Sequence, residues 1–446
     1  MFLLYSLVLS GYFAVMLPVL LYRSLRQGKH TQGVVQRFGR LPESLRSDGR
    51  PTIWFHSCSV GETLSIEPLV KELHHRFPDA RLVFSTVTAT GQAVARERFS
   101  SYGRGNIFYF PVDLGWVCNR FLDNIRPTVI VITDTEIWPN LLRKAHAREI
   151  PVVMANGRIS EKSARLYRFV RPLMRKVFAN YAAFLMQSEE DAQRIRSLGA
   201  PSDRVSVSGN IKYDKRPIEP KKEEEVCRLL EETLGVAPGA GDLLVAGSTH
   251  EGEEEVLFEV LRRVRLLPRL ERTRLLLAPR HPERFDGVAD LAARVGFAVK
   301  RRSAKTGADA EAQVLLLDSI GELATAYRFA TVAFVGGTLI PHGGQNILEP
   351  AWHAKPIVIG PSMENFRKTA QDFLACGAVR QIRAQMAERE SQIAELTEVF
   401  SGLLADERER TAMGRAARSV LESNRGASKF TAEKIAGIFE ERAKQV

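Results

Sequence analysis

Cysteine is scarce in this chain. Its four residues, Cys58, Cys118, Cys227 and Cys376, stand far apart, with no CxxC pair and no metal-ligand spacing. That argues against a disulfide scaffold and a structural zinc domain, and it suits a reducing compartment. Two phosphate-binding signatures are missing as well. No GxGxxG follows a first strand, and no GxxxxGK followed by Ser or Thr occurs, which speaks against a dinucleotide dehydrogenase and a P-loop enzyme. Charge is missing from one long stretch, the 21 residues Phe2–Tyr22. Length is not lacking: 446 residues exceed one ordinary core and predict two domains of about 200 residues each. A hydrophobic share of 45% with 26% charged residues is that of a globular protein.

The uncharged run is long enough to cross a bilayer. Arg23, Arg26, Lys29, Arg37 and Arg40 follow it at once, and a basic flank stays on the cytoplasmic side. A cleaved signal peptide carries its basic residues before the apolar run and a small-residue cleavage site after it; neither is present here. Residues 1–22 are therefore expected to be an uncleaved membrane anchor with the rest of the chain cytoplasmic. Gly11 and Pro18 leave room for a bent or monotopic insertion. Between Arg23 and Arg216 the chain holds 31 Lys and Arg against 18 Asp and Glu, whereas the remainder holds 32 against 34. The basic excess lies wholly in the first half, where nucleic acid, an acidic substrate or an anionic membrane could meet it. The anchor favours the membrane and an anionic lipid over nucleic acid.

From Thr52 onward, β-branched and aromatic runs alternate with helical patterns. Strands are expected at Ile53–Ser57, Arg81–Val87, Asn106–Val112, Thr128–Thr133, Pro151–Ala155, Ala183–Gln187 and Val205–Ser208. The alternation resumes at Asp242–Ala246, Arg274–Ala278, Val314–Asp318, Thr331–Val335 and Pro356–Ile359. Such alternation implies parallel sheets with helices on both faces. The expected fold class is α/β, two Rossmann-like domains: 23–215, then a Pro-, Lys-, Glu- and Gly-rich linker over 216–241, then 242–446 ending in polar helices. Ligands are expected at the carboxyl ends of the strands, in a cleft between the domains.

The residues that could carry chemistry follow strands. Gly336–Trp352 (GGTLIPHGGQNILEPAW) comes directly after Thr331–Val335 and runs into a helical pattern over Asn346–Ala354. Glycines let backbone approach a ligand, and amides at a helix start attract an anion. Glu349 would suit ribose hydroxyls, so the stretch reads as a nucleotide site; a capped β–α turn would look similar. Glu62, in HSCSVGE after the first strand, is a candidate general base, although Ser59 with Glu62 also matches a capping box. Ser57 and Cys58 raise a nucleophile reading that no His/Asp partner order supports. Asp134-Thr135-Glu136 could bind acceptor hydroxyls, cap a helix or hold a metal. Asn156-Gly157-Arg158 ends the next strand. Over Ile159–Phe178, Lys162, Arg165, Arg168, Arg171, Arg175 and Lys176 interleave with Leu166, Phe169, Leu173, Met174 and Phe178, a pattern suited to an anionic lipid surface. In the second half, Ser248, His250 and Glu253, then Pro279 and Arg280, then Ile320, Gly321 and Glu322 follow three strands that share an edge with the glycine-rich loop. Arg280 is a natural phosphate partner.

HSCSVGE, TDTEIWPN, ANGRIS, GNIKYD, GSTHEGEE, APRHPER and GGTLIPHGGQNILEP, together with the N-terminal apolar run, resemble the lipid A Kdo transferases (3-deoxy-D-manno-octulosonic acid transferases) of Gram-negative bacteria. The resemblance implies a GT-B fold and an inverting transfer of Kdo from CMP-Kdo to the 6′ hydroxyl of tetra-acylated lipid A precursor, one or more units, at the inner membrane. It implies Glu62 as catalytic base and CMP contacts at Pro279, Arg280, Ile320, Gly321, Glu322, Asn346, Ile347, Leu348 and Glu349, with no metal and no cofactor. Ser59, Gly61, Asp134, Glu136, Asn156, Arg158, Lys212, Ser248, His250 and Glu253 are candidates for acceptor or donor contacts. The chain departs from the commoner family pattern at Gln345, Ile347 and Asp134, where His, Pro and Glu are usual. Two rival readings are a membrane-associated GT-B enzyme using a UDP-sugar and a lipid-linked acceptor, and a non-catalytic lipid- or nucleotide-binding protein.

Overall fold

The computed structural model describes residues 2, 5–11, 15–16, 31–103, 105–216, 218–235, 237, 241–304, 312–384 and 388–445. They form two units, Met1–Lys215 with Asn424–Val446, and Arg216–Ser423.

In the first unit the strands are β1 (Thr52–Ser57), β2 (Arg81–Thr86), β3 (Ile107–Tyr109), β4 (Val129–Thr133), β5 (Val152–Gly157), β6 (Ala183–Met186) and β7 (Val205–Val207). They make one seven-stranded sheet in the order β3-β2-β1-β4-β5-β6-β7, parallel throughout. β1, β2 and β5 are buried along their whole length, as strands covered on both faces must be. The strand period of two sends alternate residues to opposite cores. Trp54, Ile130, Ile132, Val152 and Met154 enter one, with Phe108 and Phe121. Ile53, Phe55, Val129, Val131 and Val153 enter the other, with Phe84 and Phe99.

In the second unit β8 (Leu243–Thr249), β9 (Arg274–Pro279), β10 (Val299–Arg301), β11 (Val314–Leu316), β12 (Val332–Val335), β13 (Ile357–Ile359) and β14 (Val379–Gln381) form a parallel sheet in the order β10-β11-β9-β8-β12-β13-β14. The same alternation sends Leu244, Leu275 and Phe334 to one face and Val245, Leu276 and Ala333 to the other. The order reverses between β1 and β4 in the first sheet and between β8 and β12 in the second, where β10 also lies outside β11 at the edge. A crevice opens at the carboxyl ends of the strands at such a switch point.

Two boundaries differ from the expected ones. The 216–241 stretch carries a helix, Pro220–Leu234, and its Val226, Cys227 and Leu230 are buried in the second unit's core. It belongs to that unit rather than linking two. The last helix, Ala427–Ala443, packs on the first unit. Its Ala427, Ala432, Ile435 and Phe439 join β1, β2 and β4 in one cluster, and Phe439 lies 4.6 Å from Phe77, ring centre to ring centre. Asp214 receives the amides of Gly426 and Ser428 at 2.6 and 2.5 Å where the chain returns.

Of the expected anchor, residues 2, 5–11 and 15–16 are described, all helical; the span as a whole lies outside the described residues. Phe2 and Leu9 pack against the first unit's core, and Asn140 donates to the Ser6 hydroxyl at 3.0 Å. Among the described residues no helix is long and apolar enough to cross a membrane. The basic run is two helices, Glu161–Phe169 and Arg171–Phe178. Met174, Val177 and Phe178 are buried in the core, while Leu166, Phe169 and Val170 are 66%, 87% and 44% exposed.

Candidate active site

Glu62 stands in the first turn of a six-residue helix, Val60–Ser65, directly after β1. The expected capping box is not formed. The Ser59 hydroxyl does not cap the helix amides; it donates to Glu62 Oε1 at 3.0 Å, and the Cys58 amide donates to Glu62 Oε2 at 2.6 Å. The carboxylate is thereby held in one orientation. Burial raises its pKa to about 7, and the negative charges of Asp134 and Glu136 add to the rise against the pull of those two donors.

Asp134 ends β4 in the left-handed region, φ 54°, a conformation that Asp and Asn tolerate best among residues with a Cβ. Asn156, at the end of β5 and also left-handed at φ 56°, is fully buried. Its Nδ2 donates to Asp134 at 2.8 Å, and its Oδ1 accepts the Ile211 amide at 3.1 Å, one residue before Lys212. Burial raises the Asp134 pKa, and the charges of Lys212 and Arg158 oppose the rise. Burial, then Asp134, raises Glu136. The structure thus gathers Glu62, Asp134, Glu136, Asn156, Arg158 and Lys212 into one electrostatic group. Asn156 serves as the brace of that group. Gly61 is exposed, and nothing in the structure explains a glycine there.

A nucleophile role does not fit Ser57 or Cys58. Ser57 is buried in a 2.8 Å hydrogen bond with Thr63, and burial pushes the Cys58 thiol up to about 12. Among the described residues no group of three or more His, Cys, Asp or Glu is placed to hold a metal ion.

In the second unit, Gly336 follows β12 and lies so close to the end of β8 that a Cβ would be 2.5 Å from the Ser248 carbonyl. Ser248 itself is left-handed, φ 56°. The amides of the loop are not all available to a ligand. Those of Gly337, Thr338 and Leu339, with that of His250, point at the Glu253 carboxylate, which is completely buried. Glu253 is therefore no substrate contact. The helix after the loop is shorter than expected, Leu348–Trp352. Asn346 accepts the Leu348 amide at 3.2 Å and donates to Glu349 at 3.2 Å. Ile347 and Leu348 are buried, so they could offer a ligand backbone only.

Pro279 closes β9, buried, and the exposed Arg280 has no ion-pair partner among the described residues. Ile320 is 82% exposed and Gly321 left-handed. The Glu322 carboxylate is already taken: Arg302 grips it with two bonds of 2.9 Å, and Ser319 adds one of 2.6 Å. His250 is buried against His342 at 3.9 Å and His281 at 5.5 Å between ring centres, and Gln345 Nε2 meets its Nε2 at 3.2 Å. Burial and these neighbours push its pKa down to about 4. His281 and His342 were not singled out from the sequence. Their only sequence signal is position, each in a loop after a strand.

Two parallel seven-stranded α/β units, each with its polar loops at a switch point, are the architecture of GT-B glycosyltransferases. A glycosyltransferase from Rickettsia africae shares the fold, at 13% identity and a TM-score of 0.51 over 89% of this chain and 100% of that one. The family model described as 3-deoxy-D-manno-octulosonic-acid transferase (kdotransferase) matches residues 32–215. The 3-deoxy-D-manno-octulosonic acid transferase of Haemophilus influenzae is 31% identical over 91% of both chains, and that of Bordetella pertussis is 31% identical over 97% of this chain and 98% of the other. The chain belongs to the 3-deoxy-D-manno-octulosonic acid (Kdo) transferase family.

Proposed function

We propose that this chain transfers Kdo from CMP-Kdo to the 6′ hydroxyl of tetra-acylated lipid A precursor in lipopolysaccharide synthesis, adding one or more units with inversion and without metal or cofactor. Glu62 takes the proton of the acceptor hydroxyl as its oxygen bonds to Kdo C2. The bond from C2 to the CMP phosphate breaks, and CMP leaves with the electron pair. Arg280 and the backbone around Asn346 offset the charge on the leaving phosphate. Asp134 and Glu136 can accept from sugar hydroxyls, and Arg158 and Lys212 suit the acceptor's phosphates.

The observation that carries this reading is Glu62 itself. A general base works best with a pKa near the operating pH, and this carboxylate is raised to about 7 while two donors fix its direction. A carboxylate kept only for capping would gain nothing from being placed beside two others. We also assign the protein to the cytoplasmic face of the inner membrane. The uncharged N-terminal run, the basic first half and the exposed Leu166, Phe169 and Val170 among arginines support that placement.

The test is to incubate purified protein with CMP-Kdo and tetra-acylated lipid A precursor and to weigh the lipid. A gain of one or more Kdo units is expected, and its size counts the transfers. No gain by a protein that still binds CMP would reject the acceptor.

A further inference from the structure

Glu253 holds an unusual position. It opens the helix Glu253–Arg265 behind Gly252, which is left-handed at φ 93°, and it has no solvent exposure. An isolated buried carboxylate is costly. This one is satisfied on both oxygens: Oε2 accepts from the His250 and Gly337 amides at 2.9 and 2.7 Å, and Oε1 accepts from Thr338 and Leu339, both at 3.0 Å. Three successive amides turned toward one anion make the kind of concave nest that binds phosphate elsewhere. Here the nest is filled from within the chain. Three of its four donors come from one loop 84 to 86 residues away in sequence and the fourth from His250 only three residues back, so one side chain fastens the loop after β12 to the loop after β8 across the switch point.

We infer that Glu253 is a positioning residue for the donor, an internal anion that fixes the glycine-rich loop and leaves the loop's later part, Gln345–Glu349, to meet the nucleotide. The carboxylate sets the turn at Gly337, and through the His250 amide it sets the ring that touches His342 and Gln345. Only the identity of the ligand rests on the CMP-sugar reading. The loop's dependence on Glu253 does not.

Glu253→Gln is the probe, because it keeps the size and removes the charge. An amide NH₂ would then face amides that are themselves donors, and buried donors would be left unsatisfied. In the full chain the KM for the donor should rise about tenfold, the size of one lost charged hydrogen bond, with the acceptor KM unchanged. Backbone hydrogen exchange supplies a second readout that needs no substrate. The amides of Gly337, Thr338 and Leu339 should exchange in the wild type as slowly as those of β12, and in Glu253→Gln they should speed up while β12 does not. An equal rise in both KM values would mark a merely structural role and overturn the assignment. So would wild-type amides at 337–339 that exchange freely, a result that stands even if the variant does not fold. Wild-type protein that fails to bind CMP would reject the nucleotide reading, and the exchange rates would still decide the role of Glu253.

Discussion

The two units use carboxylates in opposite ways. In the first, burial raises the pKa of Glu62, Asp134 and Glu136, the charge of Asp134 raises Glu62 and Glu136 further, and that of Glu136 adds to the rise at Glu62. In the second, Glu253 is matched to four amides, Glu322 to Arg302, Asp318 to Arg301 and Glu254 to Arg284. A paired carboxylate has its oxygens committed to donors on other elements and holds loops in place. A crowded, half-buried one is costly to keep ionised near neutral pH, and that cost makes it a base. The role of a carboxylate is set by its partners more than by its place after a strand.

Removing the crowded kind should have the largest effect. Glu62→Gln is expected to lower kcat by about 10³-fold, within the range for losing a general base, with CMP binding intact by calorimetry; retained turnover would take Glu62 out of its role. Breaking a paired carboxylate should cost less and act differently. Arg302→Ala strips Glu322 of its fork, so the second unit should lose about 2 kcal/mol in denaturant unfolding, below the loss for a fully buried pair, and the donor KM should rise while the acceptor KM holds. The smallest effect is expected at the N-terminus. Asp113 is buried and pushed up to about 6, with the amides of Asn140 and Leu141 and the Tyr5 hydroxyl as its donors. Tyr5→Phe removes one donor and should destabilise the first unit by about 1 kcal/mol, read as a lower Tm. An unchanged Tm would show that the N-terminal segment does not bear on this network.

The alternation of strands and helices was legible where a strand is buried on both faces and reads as an apolar run, as in VIVIT (129–133) and TVAFV (331–335); the short, partly exposed β10 and β14, which carry Lys300, Arg301, Arg380 and Gln381, were not expected. Glu62 and Asp134 were legible because they follow such runs. Partner choice was not. The helix Ala427–Ala443 shows an apolar face, but nothing in it tells which core will take that face. Around 216–241 the Pro, Lys, Glu and Gly composition hides Val226, Cys227 and Leu230, which are enough to bury a helix. Glu253 resembled a ligand contact because its partners lie in a loop far along the chain, and the glycine-rich loop resembled an open nest for the same reason. Glu322 and Arg302 are likewise paired in space with no spacing rule to announce it.

The pH dependence of kcat/KM for the wild-type enzyme tests the central claim most directly. Glu62 acts as a base only when ionised, and its pKa in the folded chain is raised to about 7. Activity should therefore rise with pH up to that value and level off above it, falling about tenfold per pH unit on the acid side. Over the same span, from the ordinary carboxylate range to about 7, the folded state binds more protons than the unfolded one, so Glu62 should make the fold less stable as pH rises. An activity that stays level down to the ordinary carboxylate range would contradict the account, because the base would then be some group other than the carboxylate crowded against Asp134 and Glu136.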